Sequence, residues 1–223
     1  MRLVLAISLD GRLAPPEGGA AQLGGAGDRR VLEESLAWAD ATLIGAGTLR
    51  AHRCTCLIHE PDLLRSRLDQ GRSAQPASVV VSRSGDFPLR WPFFEQPLQR
   101  WLMAPESSAN GFQRWIPLGT SWRERLAALE EAGIHRLVLL GGAQLAGELL
   151  QADCVDALQL TLVPKLLGGP HTWVPQAHRG LPSLQAGAGA WLLEETTSLG
   201  GGELLLRYRR QRESDQAGYL SPN

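Results

Sequence analysis

The chain has 223 residues, of which 43% are hydrophobic and 20% charged, and its formal net charge is −1. This length suits one domain with a sizeable core, and a near-neutral charge gives no electrostatic case for a nucleic-acid partner or an acidic membrane surface. No apolar run approaches the length of a transmembrane helix. Three cysteines, an odd number, argue against a disulfide framework and favour a reducing cytoplasm.

The first third of the chain alternates strand, loop and helix. Residues 3–8 form a wholly apolar run, typical of a parallel strand covered on both faces, rather than a signal peptide. Residues 14–27 are rich in Gly, Ala and Pro and predict a loop. Asp28 is a plausible N-cap for a helix whose apolar face carries Leu32, Leu36 and Ala39. Residues 41–44 predict the next strand.

The rest of the chain continues this alternation and ends differently. Strands are predicted over 79–81, 98–103, 112–118, 137–140 and 155–163, and helices over 121–132 and 143–150. Ser121 and Glu124 fit a capping box, and Gly133 fits the stop of that helix. Residues 191–197 and 203–210 predict an antiparallel hairpin. The pattern predicts one α/β domain over residues 1–211 and a polar tail over 212–223.

Two glycine turns at strand ends give the first indication of a ligand. Gly45-Ala46-Gly47 follows one apolar strand, and Gly141-Gly142 follows another. Glycine lets backbone N–H groups approach a phosphate with no Cβ in the way. Two such turns in one small α/β chain favour a nucleotide-binding cleft.

Five motifs in order carry a family resemblance. They are Ser-Leu-Asp-Gly-Arg at 8–12, Asp-Ala-Thr-Leu-Ile-Gly-Ala-Gly-Thr at 40–48, Gly-Gly-Ala-Gln-Leu at 141–145, Val-Asp at 155–156 and Pro-Lys-Leu-Leu-Gly-Gly at 164–169. Over roughly residues 2–210 the chain resembles the reductase domain of the bifunctional riboflavin-biosynthesis deaminase/reductase and its stand-alone relatives. The zinc-binding His/Cys signature of the deaminase half does not occur in this sequence.

The resemblance implies a fold, a cofactor and a reaction. The expected fold is dihydrofolate-reductase-like, with a mixed, mostly parallel sheet flanked by helices and a C-terminal antiparallel hairpin, in a homodimer. The expected cofactor is NADPH. The expected reaction reduces the ribosyl group of a pyrimidine ribosylamine 5′-phosphate to ribityl, for which the protein mainly has to bring the two reacting carbons together.

The resemblance also assigns roles to particular residues. The cofactor side comprises Gly47, Thr48, Ser82, Arg83, Gly141, Gly142, Ala143, Gln144 and Leu145. Among these, Arg83 is expected to pair with the 2′-phosphate of NADPH, and residues 141–145 to hold the pyrophosphate. The substrate side comprises Ser8, Arg50, His52 and Arg53, with Asp10 as the catalytic candidate. Asp10 has an equally weighted alternative as a turn residue that caps Gly11.

Several positions depart from the family pattern on the substrate side. The resemblance implies acidic and arginine side chains at positions where this chain has Leu36, His52, His59 and Leu140. The loss of such charges predicts that the riboflavin-pathway substrate is turned over weakly or not at all. It also predicts a substrate that is different or unphosphorylated. A non-catalytic nucleotide-binding protein is the alternative. Dihydrofolate reduction is disfavoured because the first helix offers no convincing acidic anchor besides its cap.

A cluster of His and Cys residues follows the first glycine turn. His52, Cys54, Cys56 and His59 place four nitrogen or sulfur donors within eight residues, and three would share a face if the segment were extended. The spacing is not that of a zinc knuckle. No metal is therefore expected, and small buried cysteines with solvated histidines are the preferred interpretation.

Overall fold

Strands and helices alternate along the chain in the computed structural model, which describes residues 1–19, 22–107, 110–174, 185, 187 and 189–212. The strands are β1 (Arg2–Ser8), β2 (Ala41–Gly45), β3 (Ala77–Val81), β4 (Arg100–Ala104), β5 (Arg114–Pro117), β6 (Leu137–Leu139), β7 (Ala157–Val163), β8 (Trp191–Gly200) and β9 (Glu203–Arg210). The helices are α1 (Ala26–Trp38), α2 (Ala46–His52), α3 (Pro61–Asp69), α4 (Trp122–Glu131) and α5 (Ala143–Gln151), with a 3-10 turn at Pro92–Phe94.

The nine strands form one sheet in the order β5-β4-β3-β2-β6-β1-β7-β9-β8. Every neighbouring pair from β5 to β7 is parallel, and β9 runs antiparallel to both β7 and β8. Gly201 and Gly202, at φ 60° and 80°, make the tight turn of the hairpin. The predicted α/β class, mostly parallel with a C-terminal antiparallel hairpin, is confirmed.

The core lies on both faces of the parallel strands. Leu43 and Val79 face one apolar cluster, while the next residues along their strands, Ile44 and Val80, face the other. All four are at most 2% exposed. Burial of each such side chain stabilises the fold by about 1.5–3 kcal/mol. This explains why the strands read as continuous apolar runs, and it leaves the strand ends to carry polar function.

Two local predictions are wrong. Asp28 is not the N-cap of α1, because Gly25 takes that position and its N–H donates to Glu203 Oε1 at 2.5 Å. Asp28 therefore lies inside the first helical turn. The first glycine turn is also absent, because Gly45 at φ −80° leads β2 directly into α2.

Helix α3 was not predicted from apolar periodicity, and its packing explains why. Pro61 occupies its first turn, as is common at helix starts. Its buried side chain is Arg67, 3% exposed, which donates to the carbonyl oxygens of Leu36, Ala37 and Ala39 at the end of α1. The helix is thus held by polar contacts that a hydrophobic pattern does not reveal.

The predicted ends of α4 are confirmed. The Ser121 hydroxyl accepts a hydrogen bond from the Glu124 N–H at 3.2 Å, and Gly133 follows the helix at φ 90°. The Glu124 carboxylate accepts from the N–H of Thr120 rather than from Ser121. None of the helices in the described residues is long and apolar enough to cross a membrane. Residues 213–223 of the predicted tail lie outside the described residues, and the single domain over 1–211 stays a prediction.

Candidate functional site

A cleft opens where β2 and β6, neighbours in the sheet, end and lead into α2 and α5. Two cavities of about 680 and 640 Å³ meet there and share Gly47, Thr48, Gly142 and Gln144. The carboxyl ends of parallel strands are where open α/β sheets bind ligands. The two strand-to-helix junctions therefore form the waist of one bipartite cleft.

The second glycine pair shapes this waist. Gly141 and Gly142 have φ 88° and 86°, a region that other residues rarely adopt. A Cβ on Gly142 would lie 2.7 Å from Thr48 Oγ1, and one on Gly141 would lie 2.9 Å from Leu5 Cδ2. Gly142 is the N-cap of α5, whose first N–H groups have no partner within the helix. The pair thus directs free N–H donors toward the cleft.

The first cavity is electropositive. Arg50, Arg83 and Arg125 line it against a single carboxylate, that of Glu148. The Arg50 guanidinium lies 5.1 Å above the Phe87 ring, which fixes its direction. The Ser82 hydroxyl, 4% exposed, accepts a hydrogen bond from the Gly85 N–H at 3.0 Å and shapes the turn that presents Arg83. This cavity suits a ligand that carries several phosphates.

The second cavity mixes glycines and apolar side chains with a few polar groups. Asp28 and Arg29 reach it from the first turn of α1, His52 from the end of α2, and His171 from the segment after β7. Cys56 is exposed within it, and desolvation by the surrounding protein raises the pKa of its thiol to about 11. Cys56 is therefore a neutral thiol rather than a nucleophile at neutral pH.

The residues assigned to the cofactor all reach the cleft. Ser82, Arg83 and Leu145 line the first cavity, Gly141 and Ala143 line the second, and Gly47, Thr48, Gly142 and Gln144 line both. Of the residues assigned to the substrate, His52 lines the second cavity, whereas Arg50 lines the first. Ser8, Asp10 and Arg53 line neither of the two cavities.

Asp10 instead joins two loops. Its carboxylate accepts hydrogen bonds from the Ser8 hydroxyl at 2.5 Å, the Leu167 N–H at 3.1 Å and the Gly168 N–H at 2.7 Å. These bonds, led by the one from Ser8, hold the pKa of the carboxyl far below its usual range. The geometry is that of an anchor between the turn after β1 and the loop after β7.

The structure places the positions that depart from the family pattern in different surroundings. Leu36 is 0% exposed in the core and lines neither of the two cavities. The permanent cation that α1 brings to the cleft is Arg29, seven positions earlier. His59 lines neither of the two cavities, and its N–H donates to Glu33 Oε2 at 2.7 Å. Of these departures, Leu140 and His52 do line the second cavity.

The cluster of His and Cys donors does not converge. α2 ends at His52, and Arg53 follows in the left-handed region at φ 59°, so the segment is not the extended strand that would align three donors. Over the described part of the chain, no group of three or more His, Cys, Asp or Glu side chains is placed to hold a metal ion.

Several charged residues of the cleft were missed from the sequence. Arg125 lies in α4, near Leu118 in the first cavity, and its guanidinium stacks 4.5 Å from the Trp122 ring. The sequence did not indicate Glu148, and it predicted Asp28 only as a helix cap and gave no role to Arg29. The only available signal was the glycine-rich stretch before them, which lets the first turn of α1 approach the ends of the strands.

Comparison with known proteins identifies relatives of this chain. The family model of the RibD C-terminal domain matches residues 1–188. A 2,5-diamino-6-ribosylamino-4(3H)-pyrimidinone 5′-phosphate reductase of Archaeoglobus fulgidus is 24% identical over 175 residues, which cover 74% of this chain and 80% of that protein. Such a reductase catalyses an oxidoreductase reaction of riboflavin biosynthesis.

Solved structures agree on the fold. A pyrimidine reductase-like protein of Corynebacterium diphtheriae superposes with a TM-score of 0.78 at 20% identity, over 95% of this chain and 92% of that one. A diaminohydroxyphosphoribosylaminopyrimidine deaminase/5-amino-6-(5-phosphoribosylamino)uracil reductase of Thermotoga maritima gives 0.75 at 18% identity, over 94% of this chain and 56% of that one. Dihydrofolate reductase of Enterococcus faecalis gives 0.54 at 14% identity, over 95% and 96%. The fold is dihydrofolate-reductase-like.

Proposed function

Since the chain belongs to the RibD C-terminal domain family, we propose that it is an NADPH-dependent reductase of a pyrimidine ribosylamine 5′-phosphate. The observation that carries the proposal is the bipartite cleft, in which an arginine-bearing cavity meets a second cavity at Thr48 and Gly142. Such a cleft suits a dinucleotide in one part and a smaller substrate in the other. Their reacting carbons would meet at the waist.

The first cavity fits the cofactor. The N–H groups at the start of α5 suit the pyrophosphate, because a helix N-terminus is a ready anion site and Gly142 carries no Cβ to obstruct it. Arg83 and Arg125 suit the 2′-phosphate, which favours NADPH over NADH. Bound NADPH supplies the hydride, and the residues of the waist position the ribosyl carbon that receives it.

The second cavity fits the substrate. Arg29 is the permanent cation among its described lining residues, with His52 and His171 beside it. A phosphate binds best through such charge-assisted contacts. Arg29→Ala should therefore raise KM for the phosphorylated substrate about 10-fold or more with kcat little changed, because it removes binding that is common to ground and transition states. Arg53→Ala, outside both cavities, is the matched control.

Cofactor binding tests the proposal directly. We expect calorimetry to give a Kd for NADPH in the micromolar range, on the order of −8 kcal/mol. NADH should bind more weakly. A folded protein that shows no heat of binding at near-millimolar NADPH would refute the assignment of the first cavity. Tight NADPH binding without turnover of any ribosylaminopyrimidine would favour the alternative, a non-catalytic nucleotide-binding protein.

We also propose a cytoplasmic homodimer. Two exposed leucines of β8 support the dimer, because Leu192 and Leu193 are 42% and 48% exposed on a strand at the edge of the sheet. Leu193→Glu should convert a dimer into a monomer in light scattering. The three cysteines are free, as a reducing compartment requires.

A further inference from the structure

Asp28 stands out among the groups of the second cavity. It is the one acidic side chain among the described residues that line this cavity. Within the described chain it makes no ion pair, although Arg29 is its neighbour in sequence. Burial, the largest influence, raises the pKa of its carboxyl, and the nearby Glu203 adds to that effect. Without a paired cation, a carboxylate in this position can accept hydrogen bonds from donors that a ligand brings.

The surrounding chain fixes the Asp28 carboxyl in place. Thr161, 1% exposed on β7, lies close enough to lower the pKa of the carboxyl and so opposes the effect of burial. A Cβ on Gly24 would overlap the carboxyl oxygen Oδ2, so the glycine leaves room for it. Gly25, bonded to Glu203, fixes the start of the helix that carries Asp28. An acceptor positioned in this way at the start of α1 is suited to recognise one particular edge of a ligand.

The two substrates named for related proteins differ at the edge that such an acceptor would recognise. The 2,5-diamino-4(3H)-pyrimidinone of the archaeal reductase carries an amino group at C2 beside an N3–H, which are two adjacent donors. The uracil of the Thermotoga enzyme carries a carbonyl at C2 beside N3–H, which is one acceptor and one donor. An ionised carboxylate only accepts, so it pairs with both donors of the first ring and opposes the carbonyl of the second.

We infer that Asp28 is the specificity-determining residue of the second cavity and binds the 2-amino and N3–H edge of a 2-aminopyrimidinone. The inference rests on the proposed function and names the ring edge by which this chain would distinguish the two substrates.

The test measures NADPH oxidation by the full chain with each of the two ribosylaminopyrimidine phosphates. We expect kcat/KM to favour the diaminopyrimidinone by about 10- to 100-fold, because the uracil carbonyl would leave the carboxylate without one of its two donors. Asp28→Asn should reverse or abolish the preference, mainly through KM, because a carboxamide offers one donor and one acceptor and so matches the uracil edge. Glu34→Gln, on the same helix but outside both cavities, is the control and should keep the wild-type ratio.

The possible outcomes distinguish a failure of the inference from a failure of the proposed function on which it rests. Equal rates, or a preference for the uracil substrate in the wild-type chain, overturn the inference while the proposed function stands. The ratio of the two kcat/KM values is measured on the wild-type chain, so poor folding of Asp28→Asn does not prevent the decision. If neither substrate is reduced, the proposed function fails. Calorimetry with 2,5,6-triaminopyrimidin-4-one and 5,6-diaminouracil then tests the inference alone, and equal binding of the two rings overturns it.

Discussion

Adding one methyl group at Gly142 tests the waist of the cleft. In Gly142→Ala the new Cβ would lie 2.7 Å from Thr48 Oγ1, about 0.7 Å short of the 3.4 Å at which ordinary contact begins. The residue also sits at φ 86°, where a side chain costs about 1–3 kcal/mol. Relief of either strain moves the peptide that caps α5. We therefore expect the Kd of NADPH to rise about 10- to 100-fold, which corresponds to about 1.4–2.8 kcal/mol.

Gly133→Ala is the matched control for that experiment. Gly133 has φ 90°, and a Cβ there would meet nothing within 4 Å. It lies after α4, outside both cavities. Both variants should melt at a lower temperature than the wild type, but only Gly142→Ala should weaken NADPH binding in calorimetry. An unchanged Kd in folded Gly142→Ala would refute the assignment of the α5 N-terminus to the cofactor.

Three further predictions concern charges. Arg83→Ala should narrow the preference for NADPH over NADH by about 1–2 kcal/mol in paired titrations, whereas Arg90→Ala, outside both cavities, should not. An unchanged ratio of the two Kd values in Arg83→Ala would show that Arg83 does not bind the 2′-phosphate. Asp10→Asn should lower the thermal midpoint at neutral pH, because hydrogen bonds lower the pKa of Asp10 in the fold. That stabilisation exists above the unfolded carboxyl pKa of about 3.9 and is lost as the pH falls, so the thermal midpoints of wild type and Asp10→Asn should converge in acid. A difference between the two midpoints that stays constant with pH would contradict the anchor role. Asp28→Asn should raise the thermal midpoint of the ligand-free protein at neutral pH, because burial raises the pKa of Asp28 and its ionisation therefore destabilises the fold. The gain in midpoint should vanish below about pH 4, where the carboxyl is protonated in both the folded and the unfolded chain. A lower midpoint at neutral pH would show that Asp28 is structural.

Apolar pattern and turn chemistry were sufficient for much of the fold. The strands that lie deepest, such as β1 and β3, are buried on both faces, so their sequences are largely apolar. The ends of α4 followed from Ser121 and Gly133, because capping is a local interaction. The hairpin followed from its three consecutive glycines.

Tertiary contacts explain what the sequence did not reveal. The start of α1 depends on Glu203, which lies 178 positions after Gly25 along the chain, so no local signal places Asp28 inside the helix. Arg125 reaches the first cavity because α4 packs beside β5, which is a consequence of sheet order. The sequence indicated Asp28 only as a helix cap, and the structure places it in the lining of the second cavity.

The central claim is that this cleft reduces a ribosylaminopyrimidine phosphate at the expense of NADPH. The most direct measurement follows NADPH oxidation by the purified chain with the diaminopyrimidinone substrate and identifies the product by mass spectrometry. The account predicts stoichiometric consumption of NADPH and a product two hydrogens heavier, with the ribosyl group converted to ribityl, and no turnover of dihydrofolate. Absence of any ribityl product at saturating NADPH, or reduction of dihydrofolate instead, would contradict it.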